Sequence, residues 1–364
     1  MTGSHGDRLF KLALFGLCLT GVLMVFSSTF AKAFEAHRDP YFYLKQHSLR
    51  LGIGFVLFMI ASRFDYHHLR RWSIIPLLIS VIALILVLFS DNSVNRWITI
   101  IGVRLQPSEF ARIALLVYLA DWCARHSDFL RQSYKAFLFA IAIIAIVAGL
   151  VMIEPSYSAA SMIIMSAGVV LFLAGAKWLH IASVMLPAIP VGAYFAVVKS
   201  YRLSRVVSFL NPTSDPLGAG YQSIQSKIAV GSGKIFGMGF GMSGQKSHFL
   251  PEAHCDFIFS ILCEESGFIG AILVVSLFVL FLWRGIRIAL RAPDQFGFLL
   301  ASGLTLEITI LAFINIAVTL GLLPVTGLPL PFISYGGSAI IANLIACGII
   351  LNISRQIPLK RTRK

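Results

Sequence analysis

The chain has 364 residues; 57% are hydrophobic, 13% are charged, and the formal net charge is +14. A soluble domain carries about 25% charged residues, so a chain this poor in charge cannot cover a water-facing surface, and its basic balance does not signal nucleic acid. The apolar residues come in long blocks and not in the alternating or 3.6-residue stripes of half-buried elements, so the blocks read as membrane spans.

In chain order the predicted spans are 10–31, 48–62, 73–90, 108–122, 136–153, 158–176, 181–198, 266–290, 296–320 and 332–353. The first ends near Ala31-Lys32-Ala33, which resembles a signal cleavage site, but its length marks a retained span. The second is short and is expected to begin earlier. The fourth opens on Glu109 and Arg112, which can pair at i and i+3, with Ser108 as a candidate cap. An even number of spans puts both termini on one side. The segments on that side hold 17 of the 30 basic residues, against seven in the short segments opposite; this excess gives N-in and C-in. The fold class expected is therefore an all-α polytopic protein of about ten transmembrane helices in one membrane domain, 1–364, with a basic cytoplasmic tail at 354–364.

A long loop, about 199–265, separates the seventh and eighth spans and is expected outside. It contains apolar stretches that a polar linker would not need. Long ordered loops are commonly functional, and irregular backbone near a membrane must be shielded from lipid.

Three segments could carry chemistry. In Pro251-Glu252-Ala253-His254-Cys255-Asp256, Pro251 suits a first helical turn. Glu252 and Asp256 would then share a face, and the following Phe257-Ile258-Phe259 would desolvate a carboxylate toward the pKa of a general base. A helix-end carboxylate bonded to backbone amides is the alternative. The Gly-dense stretch 231–241, with Lys227 before it, Lys234 within it and Lys246 after it, suits phosphate, or is a flexible loop. Gly327 to Ser338, with Pro329, Pro331 and the Gly336-Gly337 pair, would break a helix at the membrane edge. Such breaks border substrate sites, or simply end a span. Glu154 and Glu307 are further polar candidates inside the apolar blocks. The five cysteines show neither metal-ligand spacing nor a disulfide framework.

Taken together, Arg96-Trp97-Ile98, Gln106 to Arg112, Tyr201 to Gly241, Phe249 to Gly270, Phe313-Ile314-Asn315 and Gly321 to Ser338 resemble the SEDS family (shape, elongation, division and sporulation). The match runs from the first span to the last. The resemblance implies a ten-span peptidoglycan glycosyltransferase of the bacterial cytoplasmic (inner) membrane, polymerising lipid II at the outer face. Asp39 to Lys45 and the 241–254 segment resemble the division branch, which would act at the septum; Gly327 to Phe332 and 225–233 lean toward the elongation branch. The family's essential loop aspartate falls on Asp256, expected as catalytic base. Expected near substrate are Glu109, Arg112, Lys227, Gln225, Lys246, Glu252, Ser334, Gly336 and Gly337. No residue is assigned to a metal, and no cofactor is required by the pattern, although a divalent cation (Mg or Mn) would suit a pyrophosphate. The partners implied are a class B penicillin-binding protein acting as transpeptidase, other division or elongation proteins, lipid II and the membrane, but no nucleic acid. Cys255 stands where the family has Thr or Ser, Glu154 to Ala159 lack an expected aspartate and glycine, and Leu311 replaces an expected Gln. A lipid II flippase and a non-catalytic scaffold are the rival readings. A flippase needs polar groups along a path through the membrane, whereas the polar segments here cluster toward one face.

Overall fold

The computed structural model describes residues 6–89, 96–100, 103–154, 156–198, 200–216, 218, 220–246 and 249–357. The tail residues Lys360, Arg361, Arg363 and Lys364 lie outside them.

Among the described residues the regular elements are helices apart from one hairpin. α1 (Arg8–His37) and α2 (Phe42–Arg63) are followed by the short α3 (Tyr66–Arg71) and by α4 (Ile74–Leu88). A two-stranded antiparallel hairpin, β1 (Ile98–Ile100) and β2 (Val103–Leu105), precedes α5 (Pro107–Arg125) and the short α6 (Ser127–Gln132). Then come α7 (Tyr134–Ile153), α8 (Tyr157–Leu173), α9 (Trp178–Val198), α10 (Ser200–Leu210) and α11 (Tyr221–Ser232). The chain closes with α12 (Ile258–Leu290), α13 (Gln295–Thr319) and α14 (Gly337–Arg355). Every predicted apolar block overlaps one of these helices. Five helices, α1, α7, α12, α13 and α14, are long and apolar enough to cross a membrane, and α4 and α8 are shorter apolar helices.

Burial is inverted relative to a water-soluble bundle. Leu19, Leu23, Ile79, Leu86, Ile146 and Leu273 point outward from their helices. Glu109, Arg112, Glu307, Asn315 and Asn343 are buried among them. Apolar side chains cost nothing against lipid, whereas charges there are expensive and turn to the bundle interior. α13 and α14 form the centre: α14 packs along α2, and α13 contacts α5, α8, α12 and α14. The α2–α14 approach is close because Gly348 has no side chain; a Cβ there would stand 2.7 Å from the Phe58 carbonyl oxygen.

The structure corrects several local expectations. No helix starts at Pro251; residues 251–257 are turns, and α12 starts at Ile258. Glu252 adopts a left-handed backbone, φ 54°, and a single turn, in which Asp256 N donates to the Glu252 carbonyl at 3.2 Å, takes the place of the expected helix. Ser108 does not cap α5, because Gln106 takes the cap position and Pro107 the first helical one. The last helix begins at Gly337, after the two prolines and not at 332. The eighth begins eight residues before the expected 266, but it is broken at Gly267 (φ 66°, ψ −163°).

The break at Gly267 docks the long loop. It frees the carbonyls of Glu264 and Glu265 from the helical ladder, and they accept from Met238 N (2.9 Å) and Gly239 N (3.0 Å). Phe268 N and Ile269 N donate to the carbonyls of Lys234 and Ile235 at 2.9 and 3.2 Å. A Cβ on Gly267 would strike Gly237 N, and one on Gly237 would strike the Glu265 carbonyl. Side chains complete the junction. Ser243 Oγ donates to Glu264 Oε2 at 2.5 Å. Lys246 Nζ lies 2.8 Å from Glu265 Oε1, and Ser27 Oγ of α1 donates to that same carboxylate.

Candidate active site

The turn segment 251–257 is held from two sides. Tyr335 N donates to the His254 carbonyl at 2.9 Å. Ser334 Oγ donates to the Cys255 carbonyl (2.5 Å) and accepts from Leu330 N (2.8 Å). From α13, Asn315 Nδ2 donates to both the Asp256 carbonyl (2.8 Å) and the Leu328 carbonyl (2.7 Å). One amide thus ties the aspartate to the Gly-Pro-rich segment before α14.

These contacts leave the Asp256 side chain facing a cavity of about 720 Å³. Its walls are Arg96, Trp97, Gln106 and Glu109, residues 156–159, Arg205, residues 324–329, and Tyr335 to Ala339. Gly327 (φ 71°) lies directly against the carboxylate; a Cβ there would stand 3.6 Å from Asp256 Oδ2. Hydrogen bonds close the wall: Gln106 N donates to Ser338 Oγ (3.0 Å), Ser158 Oγ to the Thr326 carbonyl (2.6 Å), and Arg205 Nη1 to the Val325 carbonyl (3.0 Å). Arg96 Nε donates to the carbonyl of buried Glu154 at 2.9 Å. Burial pushes the Asp256 carboxyl up to about 6, the charge of Glu252 adds to this, and the Arg205 guanidinium opposes it. A carboxylate with that value is ionised at neutral pH and is basic enough to accept a proton from a hydroxyl.

Beneath the cavity Glu109 connects to a buried charge cluster. Arg112 Nη2 is 3.1 Å from Glu109 Oε2, its Nε contacts Glu307 Oε1, and Nη2 donates to Asn343 Oδ1 at 3.3 Å. The three charged side chains are 9% exposed or less. Arg112 therefore holds Glu109 from below.

The expected site residues fall into three places. Asp256, Glu109, Gly336 and Gly337 line the large cavity, with Arg112 behind it. Lys246 and Glu252 line a second cavity, about 510 Å³, with Lys32, Glu35 and His254. The segment carrying Asp256 forms the wall between the two. Ser334, Lys227 and Gln225 line neither. Ser334 is a buried backbone tie, and Lys227 is exposed on the half-buried α11, against Gly321. Asn315 was legible only as part of a motif, and Arg205 and Tyr335 only as members of long matching segments; no local pattern marked them as cavity residues.

Among the described residues one group could hold a metal: ligand atoms of Glu252, His254 and Cys255 lie within 4.8 Å of one another. The spacing of the cysteines gave no sign of it. A thiol and an imidazole suit a softer ion than Mg or Mn, so this donor set does not fit the divalent cation that a pyrophosphate would favour.

Residues 7–358 match the family described as "Cell cycle protein", the FtsW, RodA and SpoVE family. The chain belongs to this SEDS family. It is 39% identical to the probable peptidoglycan glycosyltransferase FtsW of Geobacter sp. (strain M18), over 93% of each chain. It is also 39% identical to stage V sporulation protein E of Bacillus subtilis (strain 168), over 96% of this chain and 97% of that one. Among solved structures it resembles a chain of a peptidoglycan synthase complex described as coordinating polymerization and crosslinking. That likeness has a TM-score of 0.76 and 27% identity and covers 97% of this chain and 99% of that one. Thermus thermophilus RodA shares the fold at TM-score 0.72 and 24% identity, over 98% and 99% of the two chains. Within the family the chain is FtsW-like.

Proposed function

We propose that this chain is a peptidoglycan glycosyltransferase that joins lipid II units into glycan strands, with Asp256 as the base. The observation that carries the reading is the placement of Asp256: a half-buried carboxylate with a raised pKa, tied by its own backbone and facing a cavity with two arginines and Glu109. The 4-hydroxyl of the acceptor sugar gives its proton to Asp256. The oxygen attacks the anomeric carbon of the donor, the carbon–oxygen bond to the pyrophosphate breaks with its electron pair, and the configuration inverts. Arg205 and Arg96 offset the charge of the departing pyrophosphate; preorganised charge of this kind is commonly the largest catalytic term.

The finer organisation follows the same reading. The ten long helices, α1, α2, α4, α5, α7, α8, α9, α12, α13 and α14, are ten spans of one membrane domain, N-in and C-in. The 199–265 loop and both cavities are on the outer face of the inner membrane. The FtsW-like sequence supports a septal role, and the synthase complex among the similar structures supports a class B penicillin-binding protein as partner.

The test is strand formation from purified lipid II by wild type and by Asp256→Asn, each co-purified with a cognate transpeptidase whose own active site is inactivated. Polymer from wild type and a loss of about a hundredfold or more in the folded variant is expected. Equal polymer from both removes Asp256 from the mechanism. Absence of polymer from both, with lipid II crossing vesicle bilayers, replaces the polymerase with a flippase.

A further inference from the structure

Residues 235–242 present an apolar surface that the catalytic reading does not use. Ile235, Phe236, Met238, Phe240 and Met242 all point outward, with Phe236 80% and Met242 71% exposed. A contiguous apolar patch of this kind on a rigid segment marks a membrane or a partner. We propose that this segment lies in the interfacial layer of the bilayer, with these five side chains in lipid. The inference needs only α12 to be a membrane span and is independent of the reaction assigned to Asp256.

Three observations favour lipid over a protein partner. First, the patch continues a lipid-facing surface. Phe268 N and Ile269 N donate to the Lys234 and Ile235 carbonyls, so the patch sits edge to edge with Phe268, Ile269, Ile272 and Leu273, which are the outward residues of the span. Second, part of the irregular backbone is paired internally. The amides of Gly237, Met238, Gly239 and Met242 donate to the carbonyls of Gly233, Glu264, Glu265 and Gly239. The remaining groups stay within reach of headgroups and water in the interfacial layer, whereas in the hydrocarbon core they would have to be shielded from lipid. Third, charge flanks the patch as an interfacial segment requires. Lys234 is exposed at its start, in reach of headgroups, while the two carboxylates beneath it, Glu264 and Glu265, are bonded inward to Ser243, Gly244, Lys246 and Ser27. The alternation of Gly237, Gly239 and Gly241 with Met238, Phe240 and Met242 keeps the segment thin enough to lie flat.

The test uses nitroxide labels and paramagnetic collision measurements on the full chain in proteoliposomes. Met238→Cys and Phe240→Cys are made separately on a Cys255→Ser background, since the other four cysteines are buried. Labels at Ile272 and at exposed Asp128 serve as lipid and water references. The expected result is an oxygen-to-nickel-complex collision ratio at 238 and 240 close to that of the Ile272 label. A ratio matching the Asp128 label overturns the proposal. If such a water-exposed label loses access to both reagents when a transpeptidase is added, the patch is a protein-docking surface instead. A second pair of labels, at Phe236 and Met242, gives the same reading should either first variant fail to fold.

Discussion

Replacing Arg112 with methionine tests whether the charge cluster under the cavity is one unit. The guanidinium touches Glu109 and Glu307, whose side chains are 9% and 1% exposed. Its removal leaves two carboxylates without a cation. Glu109 opens on the cavity, where water can reach it; Glu307 does not. An uncompensated buried charge costs about 3–5 kcal/mol, and Arg112→Met is expected to lose that much stability. Glu307→Leu leaves the Arg112–Glu109 pair intact and is expected to lose about 1–3 kcal/mol. The double variant removes the orphaned charge with its partner, so its loss should fall short of the sum by about 2 kcal/mol or more. Arg112→Lys should lie between, because a point charge cannot serve both carboxylates and Asn343 at once. Denaturant unfolding of the purified variants in mixed micelles gives the cycle. Losses that add within about 0.5 kcal/mol would refute the single-unit picture, as would Arg112→Met with wild-type stability.

Four further outcomes are expected. With Asp256 as the proposed base, strand formation should fall as pH drops through about 6, the value to which burial raises it; because its folded-state pKa lies above the ordinary carboxylate range, its proton favours the folded state below that pH and Asp256 stabilises least above it. Glu252→Gln removes the second cause of the raised pKa and should move the midpoint of the pH profile toward acid. Gly267→Ala forces a side chain into a glycine-only backbone region against Gly237 N; a loss of about 1–3 kcal/mol and protease cleavage within 233–246 are expected, and an intact loop at wild-type melting temperature would contradict the docking geometry. Asn315→Leu strips the shared donor from the Asp256 and Leu328 carbonyls; kcat should fall more than KM rises if Asn315 acts by positioning the proposed base.

The helices were legible because each apolar block is a continuous run, and the ends that shifted did so for identifiable reasons. α14 could not start at 332 because residues 331–334 form a turn in which Phe332 takes a left-handed backbone, φ 65°. α12 could start early because Gly267 absorbs the bend that lets residues 258–266 pack against the loop. Asp256, Glu109 and the Gly336-Gly337 pair came from motifs, and the cavity gathers all of them. Lys227 and Gln225 sat in an equally dense motif, yet α11 turns them away from both cavities. Ser334 looked like a substrate contact because a hydroxyl beside a glycine pair has no local signature separating a ligand donor from a backbone tie. The Arg112–Glu307 contact left no trace in the sequence, since nothing local relates a residue on α5 to one on α13.

The interruption of α12 at Gly267 also has a mechanical side. The turns above it, Ile258 to Ser266, are bonded to the loop and to the segment that carries Asp256. The helix is long and apolar enough to cross a membrane, and spans tilt when the bilayer thins or thickens. Yet both flanks of the break, Glu264 and Glu265 above and Phe268 and Ile269 below, are bonded to residues 234–239 of the loop. The loop thus splints the break, and the upper turns share one bonded frame with the first turn of the lower stretch.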